Sequence, residues 1–473
     1  MNIIGRLEEK KILEKSLKSK KPEFIVVYGR RRIGKTYLIK NYFENKFSFY
    51  TSGLNDKTYK IQLNNFKNSL IEYGLDIHKN IPNWMEAFSY LKKLLESDKV
   101  YRHPLTNKRI IFLDELPWMD GRRSDFKAAL DLFWNTYASS KEDIVLIVCG
   151  SATSWIMKNM IKDEGGFYNR ITKKIHLIPF TLDECKQYSD SLDLPYNTKQ
   201  ISELYMVFGG VPYYWDFLDG DYSVAQNIDN LFFKENSQLK DEYQSLFKSL
   251  FSLKGKHRQI IEELMKNNHG LQRKQLSSIK SIGDGKSLTT ALEELCECDF
   301  IRAYDNFLTS KNGKYYQIID PFILFAKNFL LNSKIYSWHD FINTPNYYSW
   351  SGYAFEIMCI NNIQNIKEAL GISEVGTKLY SWRSKTSKKG AQIDLLIERK
   401  DQVINICEIK YTLNEFEINK DYELNLINKM EAFRSETKCR QQLVLTLISF
   451  NGLKENSHSE IINKLITIKD LTK

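Results

Sequence analysis

FIVVYGRRRIGKTYLIKNYF, residues 24–43, decides the reading of the first half of the chain. FIVVY is a short continuous apolar run, the pattern of a strand buried on both faces, and TYLIKNYF has helical spacing. Between them GRRRIGKT, from Gly29 to Thr36, fits G-x-x-x-x-G-K-[ST] at every position. In a strand–loop–helix setting the loop's backbone N–H groups turn inward around phosphates, and the helix N-terminus adds positive potential. Gly29 and Gly34 permit that wrap. Lys35 is expected to reach the β- and γ-phosphates and the Thr36 hydroxyl to meet magnesium. Ile33 and Tyr37 complete the contact stretch. Arg30, Arg31 and Arg32 stand beside the phosphates, although side chains in such a loop favour solvent.

Two more strands support a nucleotide site. RIIFLDE, 109–115, is an apolar run ending in two acids. Adjacent carboxylates at a buried strand end are costly unless a metal and its waters share their charge. Asp114 therefore fits the magnesium-side acid and Glu115 the base that orients attacking water. DIVLIVCGSATSW, 143–155, brings Ser151 and Thr153 to a strand end, where one hydroxyl is a candidate sensor of the γ-phosphate. Across 24–180 short apolar runs alternate with amphipathic stretches, which predicts a parallel α/β sheet.

In order along the chain stand GRLEE (5–9), GRRRIGKT, FLDELPW (112–118), CGSATS (149–154), FYNRITKKIHLIPF (167–180) and GGVPYYW (209–215). The set resembles the archaeal-type ATPases, a branch of the AAA+/STAND P-loop NTPases. By that resemblance Arg6 and Glu9 lie beside the adenine, and the turn containing Gly210 and Pro212 belongs to a helical lid. Arg170 becomes the candidate phosphate-sensing arginine, on its own nucleotide or on a neighbour's.

Further on, helical spacing over 258–267, 272–279 and 286–297 followed by a hairpin predicts a winged helix, a segment this family also carries. Lys286, Ser287, Thr289 and Thr290 would open its recognition helix, but Glu293, Glu294 and Glu297 disfavour deep groove insertion. Beyond an Asn/Pro-marked boundary near 332–346, Asp394 lies on one strand and Glu408 and Lys410 on the next. Residues 408 and 410 share a strand face, and Asp394 falls within one residue of Glu408 across the hairpin. Glu356, on a preceding helix, offers a further acid. Asp394-x13-Glu408-x-Lys410 resembles the PD-(D/E)xK, restriction-endonuclease-like superfamily, with Ile393 where the proline would stand. The resemblance implies magnesium on Asp394 and Glu408, with Lys410 orienting water. Arg383, Lys385, Lys388 and Lys389 form a cationic run just before Asp394, suited to steering a phosphate backbone.

Bulk composition limits the alternatives. With 473 residues the chain exceeds one hydrophobic core. Its net charge of +10 is concentrated at the ATP-binding end, since residues 1–60 hold 15 Lys or Arg against 6 Asp or Glu. Seven scattered cysteines and the absence of a charged-then-apolar opening argue against a disulfide framework and a signal peptide, so a cytoplasmic protein is expected. The expected architecture is an α/β P-loop NTPase core (1–180), a helical lid (181–250), a winged helix (251–335) and a C-terminal α/β nuclease-like domain (345–473). Its expected cofactors are ATP and Mg2+. Its expected partners are DNA or RNA and an oligomeric or protein partner, with no membrane. The function implied is an ATPase controlling a nuclease-like domain, in defence or in DNA or RNA processing. The competing reading is a nucleotide-dependent signalling or scaffold switch with an inactive nuclease fold.

Overall fold

The computed structural model describes residues 3–472 apart from 122–123, 152, 163–165, 168, 251–255, 308–312, 332–336 and 385–389. The chain divides into two compact units, Met1–Ile178 and Pro179–Lys473.

The first unit is built on β1 (Glu23–Tyr28), β2 (Phe49–Ser52), β3 (Arg109–Asp114), β4 (Ile144–Gly150) and β5 (Lys173–His176). They pair in parallel in the order β2-β3-β4-β1-β5. Successive side chains of a strand point to opposite faces, and both faces here are covered. Phe24, Val26, Ile111, Leu113, Leu146 and Val148 pack into one apolar cluster, while Ile25, Val27, Ile110, Phe112, Val145 and Ile147 pack into another. That double burial is why β1, β3 and β4 read as unbroken apolar runs. FYTS of β2 and KKIH of β5 are only four residues long, too short for a periodicity to announce them. Because β1, β4 and β3 are neighbours and run parallel, their carboxyl ends open side by side onto one edge of the sheet.

The second unit opens with helices Leu182–Ser191 and Thr198–Phe208, each started by a capping box. The Gly209–Pro212 turn follows. There the Phe180 N–H donates to the Gly210 carbonyl at 2.6 Å. A Cβ on Gly210 would sit 1.8 Å from the Phe180 oxygen, so the sequence needs glycine for this backbone contact. Helices Lys256–Leu264, Arg273–Ser277 and Lys286–Glu297 then lead into β6 (Leu271–Gln272), β7 (Ile301–Asn306) and β8 (Tyr315–Ile318), with β6 lying between the first two helices in sequence. Helix Pro345–Asn361 precedes β9 (Thr377–Arg383), β10 (Gln392–Arg399), β11 (Val403–Lys410), β12 (Gln442–Ser449) and β13 (Lys464–Thr467).

All eight strands form one sheet, β13-β12-β11-β10-β9-β7-β8-β6. β9, β10 and β11 make an antiparallel meander, whereas helix Lys420–Thr437 returns the chain so that β12 runs parallel to β11. The expected boundary near 332–346 does not divide the sheet, because β7 pairs in parallel with β9 through Asp305 opposite Tyr380 and Asn306 opposite Ser381. One apolar cluster runs from Phe180 to Leu471. Among the described residues no helix is long and apolar enough to cross a membrane.

Gly210→Ala should destabilise the second unit by about 1–3 kcal/mol, the usual cost of forcing an atom into a packed site. Gly352 lies within a helix, and a Cβ there meets nothing within 4 Å, so Gly352→Ala should be neutral or slightly stabilising. Denaturant unfolding of the full chain compares the two.

Candidate functional sites

The carboxyl edge of the first sheet gathers the nucleotide-site candidates. Gly29 leaves β1 at φ 139°, and a Cβ there would lie 2.2 Å from the Leu177 oxygen. The chain therefore turns sharply into the loop and reaches helix Lys35–Tyr42 at Gly34. Lys35 is buried, and its Nζ donates to the carbonyls of Gly29 at 2.9 Å and Arg30 at 2.7 Å. The Thr36 hydroxyl donates to Asp114 Oδ2 at 2.9 Å, joining the first helical turn to the end of β3.

Asp114 is 3% exposed. Its Oδ1 accepts from the Glu115 N–H at 2.9 Å and from Cys149 Sγ at 2.6 Å. Burial raises the Asp114 pKa, the hydrogen bonds from Cys149 and Thr36 oppose that rise, and the Glu115 charge adds to it. A hard oxygen pair on Thr36 and Asp114, with a charge that burial disfavours, fits a magnesium ion. Cys149 was not singled out in the sequence, where it reads as one more residue of an apolar run.

Glu115 adopts φ 46°, a left-handed conformation that costs a non-glycine residue roughly 1–2 kcal/mol. This turn carries its carboxylate to the end of β4, where Oε2 accepts from the Ser151 N–H at 3.1 Å and the Ser151 hydroxyl at 2.8 Å. Arg31 Nε donates to the same hydroxyl at 3.4 Å. Glu115, Ser151 and Arg31 thus meet beside Asp114. No side-chain placement is described for Thr153.

The remaining first-unit candidates divide. Ile33 is buried and Tyr37 exposed. Arg30, expected to face solvent with its two neighbours, is 1% exposed, while Arg31 and Arg32 are half-buried. Arg6 is buried; it donates to the carbonyls of Ile178 at 2.7 Å and Ile33 at 3.4 Å and stands 3.8 Å from Glu9. It therefore ties the opening segment to the loop. The structure does not bring Arg170 to the loop. Thr172 N–H donates to Phe24 O, and β5 then runs parallel to β1, so Arg170 lies at the amino edge of the sheet, paired with Asp131. Pro212 belongs to the second unit, where it opens the short helix Pro212–Trp215.

In the second unit the candidate carboxylates converge on β10 and β11. Leu395 is opposite Cys407, so the next step of the register sets Asp394 against Glu408. Asp394 occupies a β-bulge, since the β9–β10 register shifts between Ile393 and Leu396. Bulges re-aim side chains beside functional sites, and here Ile393 and Leu396 share one apolar cluster while Leu395 and Ile397 share another. Glu408 lies 3.1 Å from Lys410 Nζ and 2.8 Å from Lys429 Nζ, and Tyr422 donates to its Oε1. Burial disfavours its charge, but the two lysines hold its carboxyl below the usual range. Against the effect of its own burial, Lys410 is raised by Glu408. Glu356, Asp394, Glu408, Lys410 and Lys429 line one cleft of about 410 Å3.

Gln392 holds Asp394 in place. Its Nε2 donates to Asp394 Oδ1 and meets His269 Nδ1 at 2.9 Å, while its Oε1 accepts from Arg383 Nη2 at 2.6 Å. Tyr422, Lys429, Gln392 and His269 carried no signal in the sequence, because His269 lies 123 positions from its partner and no motif spans that gap. Lys385, Lys388 and Lys389 lie outside the described residues. Among the described residues no group of three or more His, Cys, Asp or Glu side chains is placed to hold a metal. Two carboxylates remain, which suits magnesium, an ion that keeps several waters.

Burial, then the charges of Asp394 and Glu408, push Glu356 up to about 8. A carboxyl raised in the folded state binds its proton more tightly there than when unfolded. The stability this contributes is complete below the unfolded value near 4.5 and is lost as pH rises through about 8. In metal-free buffer the Tm of the wild type should fall by a few degrees between these limits, and that of Glu356→Gln by less.

Residues 4–216 match the family model described as an ATPase domain predominantly from Archaea. An uncharacterized protein of Methanocaldococcus jannaschii is 24% identical over 443 residues, which is 89% of this chain and 90% of that protein. Among solved structures, a Walker-type ATPase of Pyrococcus abyssi aligns at TM-score 0.47 and 18% identity, covering 68% of this chain and 95% of its own. The ORC2 protein of Aeropyrum pernix aligns at TM-score 0.44 and 14% identity, covering 76% and 95%. Structural likeness at that level fixes neither activity nor partners. Residues 4–216 thus match an ATPase domain predominantly from Archaea, built here on a five-stranded parallel α/β sheet, and a mixed sheet follows.

Proposed function

We propose that the first unit binds and hydrolyses ATP with magnesium, and that its nucleotide state controls phosphodiester cleavage of DNA or RNA by the second unit. The observation that carries the first part is the convergence of Thr36, Asp114, Glu115 and Ser151 at the ends of adjacent strands, with Thr36 and Asp114 2.9 Å apart. Lys35 exchanges its loop carbonyls for phosphate oxygens. Thr36 and Asp114 would hold a magnesium ion, which when bound would supply positive charge beside the phosphates. Glu115 orients the attacking water, and Ser151 holds that carboxylate until substrate is present. Arg170 is left out of this cycle within one chain.

Lys35→Ala should abolish tight binding of a fluorescent ATP analogue. Glu115→Gln should bind it as well as the wild type but hydrolyse ATP about a hundredfold more slowly, the usual loss for a general base. Equal turnover in the two proteins would remove Glu115 from the mechanism.

For the second unit, the αβββαβ order, the bulge at Asp394 and the Glu408–Lys410 pair support a nuclease of the PD-(D/E)xK kind. Asp394 and Glu408 would hold magnesium, which when bound would polarise the phosphodiester. Lys410 orients the attacking water, and Lys429 keeps Glu408 ionised. The winged-helix segment serves as part of the same unit. Asp394→Ala, Glu408→Ala and Lys410→Ala should each remove magnesium-dependent cleavage of mixed nucleic acids and leave ATP hydrolysis within about twofold. Cleavage surviving Asp394→Ala would place the active site elsewhere. A wild type that cleaves nothing with or without ATP would favour the switch with an inactive nuclease fold.

A further inference from the structure

A second cleft, of about 260 Å3, is also lined by Asp394 but not by Lys410, and its walls come from two parts of the sequence. His269, Arg302, Tyr304 and Gln317 come from the middle segment, whereas Glu356, Gln392 and Asp394 come from the C-terminal block. The seam is fixed. β7 and β9 share backbone pairing, His269 meets Gln392 at 2.9 Å, and the Tyr353 hydroxyl donates to the Asn268 carbonyl at 2.5 Å. Arg302 is therefore held in the same frame as Asp394.

The charges around the cleft set a requirement. Glu356, Asp394 and Glu408 are negative or potentially negative, so a polyanion approaching them needs a fixed cation. Lys410 and Lys429 are both engaged with Glu408. Arg302 is differently placed. Among the described residues its side-chain hydrogen bond runs from Nε to Gln317 Oε1 at 2.8 Å, and the charges of Asp394 and Glu356 reach it without forming an ion pair. Its guanidinium carbon lies 4.6 Å from the centre of the Tyr304 ring, which orients the fork. The two remaining guanidinium nitrogens are left to serve an oxyanion, the planar bidentate recognition for which arginine is suited.

We propose that this cleft is the substrate subsite of the C-terminal centre, taking one unpaired nucleotide of a nucleic-acid strand with its phosphate on Arg302. The proposal rests on the nuclease reading of Asp394 and Glu408. At about 260 Å3 the cleft falls just below the roughly 300–1,000 Å3 of pockets for drug-sized ligands, so it has room for no more than one nucleotide unit. A strand that reaches Arg302 therefore enters with that nucleotide unpaired, or extruded at the site. The middle segment then contributes a specificity residue to the C-terminal centre as well as any surface of its own.

Fluorescence anisotropy of the full chain with labelled oligothymidylate, and with a duplex of the same length, tests this. Calcium replaces magnesium so that binding is read without cleavage. The wild type should prefer the single strand, Arg302→Ala should weaken binding about tenfold or more, and Arg302→Lys, which keeps the charge and loses the fork, should recover only part of that loss. The salt slope should fall by about one in Arg302→Ala. Binding of the ATP analogue by the first unit, with the unfolding curve of the whole chain, reports folding. If Arg302→Ala unfolds, His269→Glu, at a half-exposed position at the mouth, places a negative charge there and should weaken binding by a similar factor. Unchanged binding in a folded Arg302→Ala or in His269→Glu, no binding by the wild type, or a preference for duplex would each overturn the proposal. The nuclease reading fails separately. Strand binding that needs Arg302 without any magnesium-dependent cleavage would sink that reading alone, whereas cleavage with an unaltered KM in Arg302→Ala would sink the subsite alone.

Discussion

Asp114 carries a carboxylate at 3% exposure, and the chemistry of the first unit is organised around making that tolerable. An ionised group taken out of water must be paired or hydrogen-bonded, or it takes up a proton. Thr36, Cys149 and the Glu115 N–H supply three hydrogen bonds, the last from the next residue and the first two from distant parts of the chain. Thr36 and Cys149 reach Asp114 because β1, β4 and β3 are neighbouring parallel strands whose carboxyl ends share one edge. The left-handed turn at Glu115 belongs to the same arrangement. It stores a small strain and keeps the second carboxylate from lying along the strand beside the first.

The second unit solves a related problem with opposite means. Glu408 is nearly as buried, but its partners are the cations Lys410 and Lys429 together with the Tyr422 hydroxyl. Its charge is thereby secured, while that of Glu356, on a separate helix, is not. Environment alone favours the charged form of one carboxyl and disfavours that of the other. Asp394 stands between them on a bulge, fixed by the Gln392 amide, which in turn binds Arg383 and His269. A sheet continuous from β13 to β6 makes these contacts rigid across segments that composition separates.

Much of this was legible in the residues. The phosphate-binding loop, the acids ending RIIFLDE and the strand IVLIVCG are local patterns, and double burial makes their strands conspicuous. The hairpin from Gln392 to Lys410 and the three helices before β7 are local too. What escaped was either too short to show a period, as in β2 and β5, or depended on distant pairing. The continuity of the sheet through β7 and β9 rests on two residue pairs some 75 positions apart, Asp305 with Tyr380 and Asn306 with Ser381.

The sequence by itself determined which residues are the candidates: Lys35, Thr36, Asp114 and Glu115 in one half, and Asp394, Glu408 and Lys410 in the other. Motif and spacing suffice there because neighbouring residues on one strand or loop are held together by the backbone itself. Tertiary structure alone decided what surrounds them. It buried Arg30, placed Arg170 with Asp131 at the far edge of the sheet, gave Asp114 its thiol partner, and set Arg302 and His269 beside Asp394. Those outcomes depend on strand order and on a bulge, and both are fixed by how distant segments share a core rather than by any local run of residues.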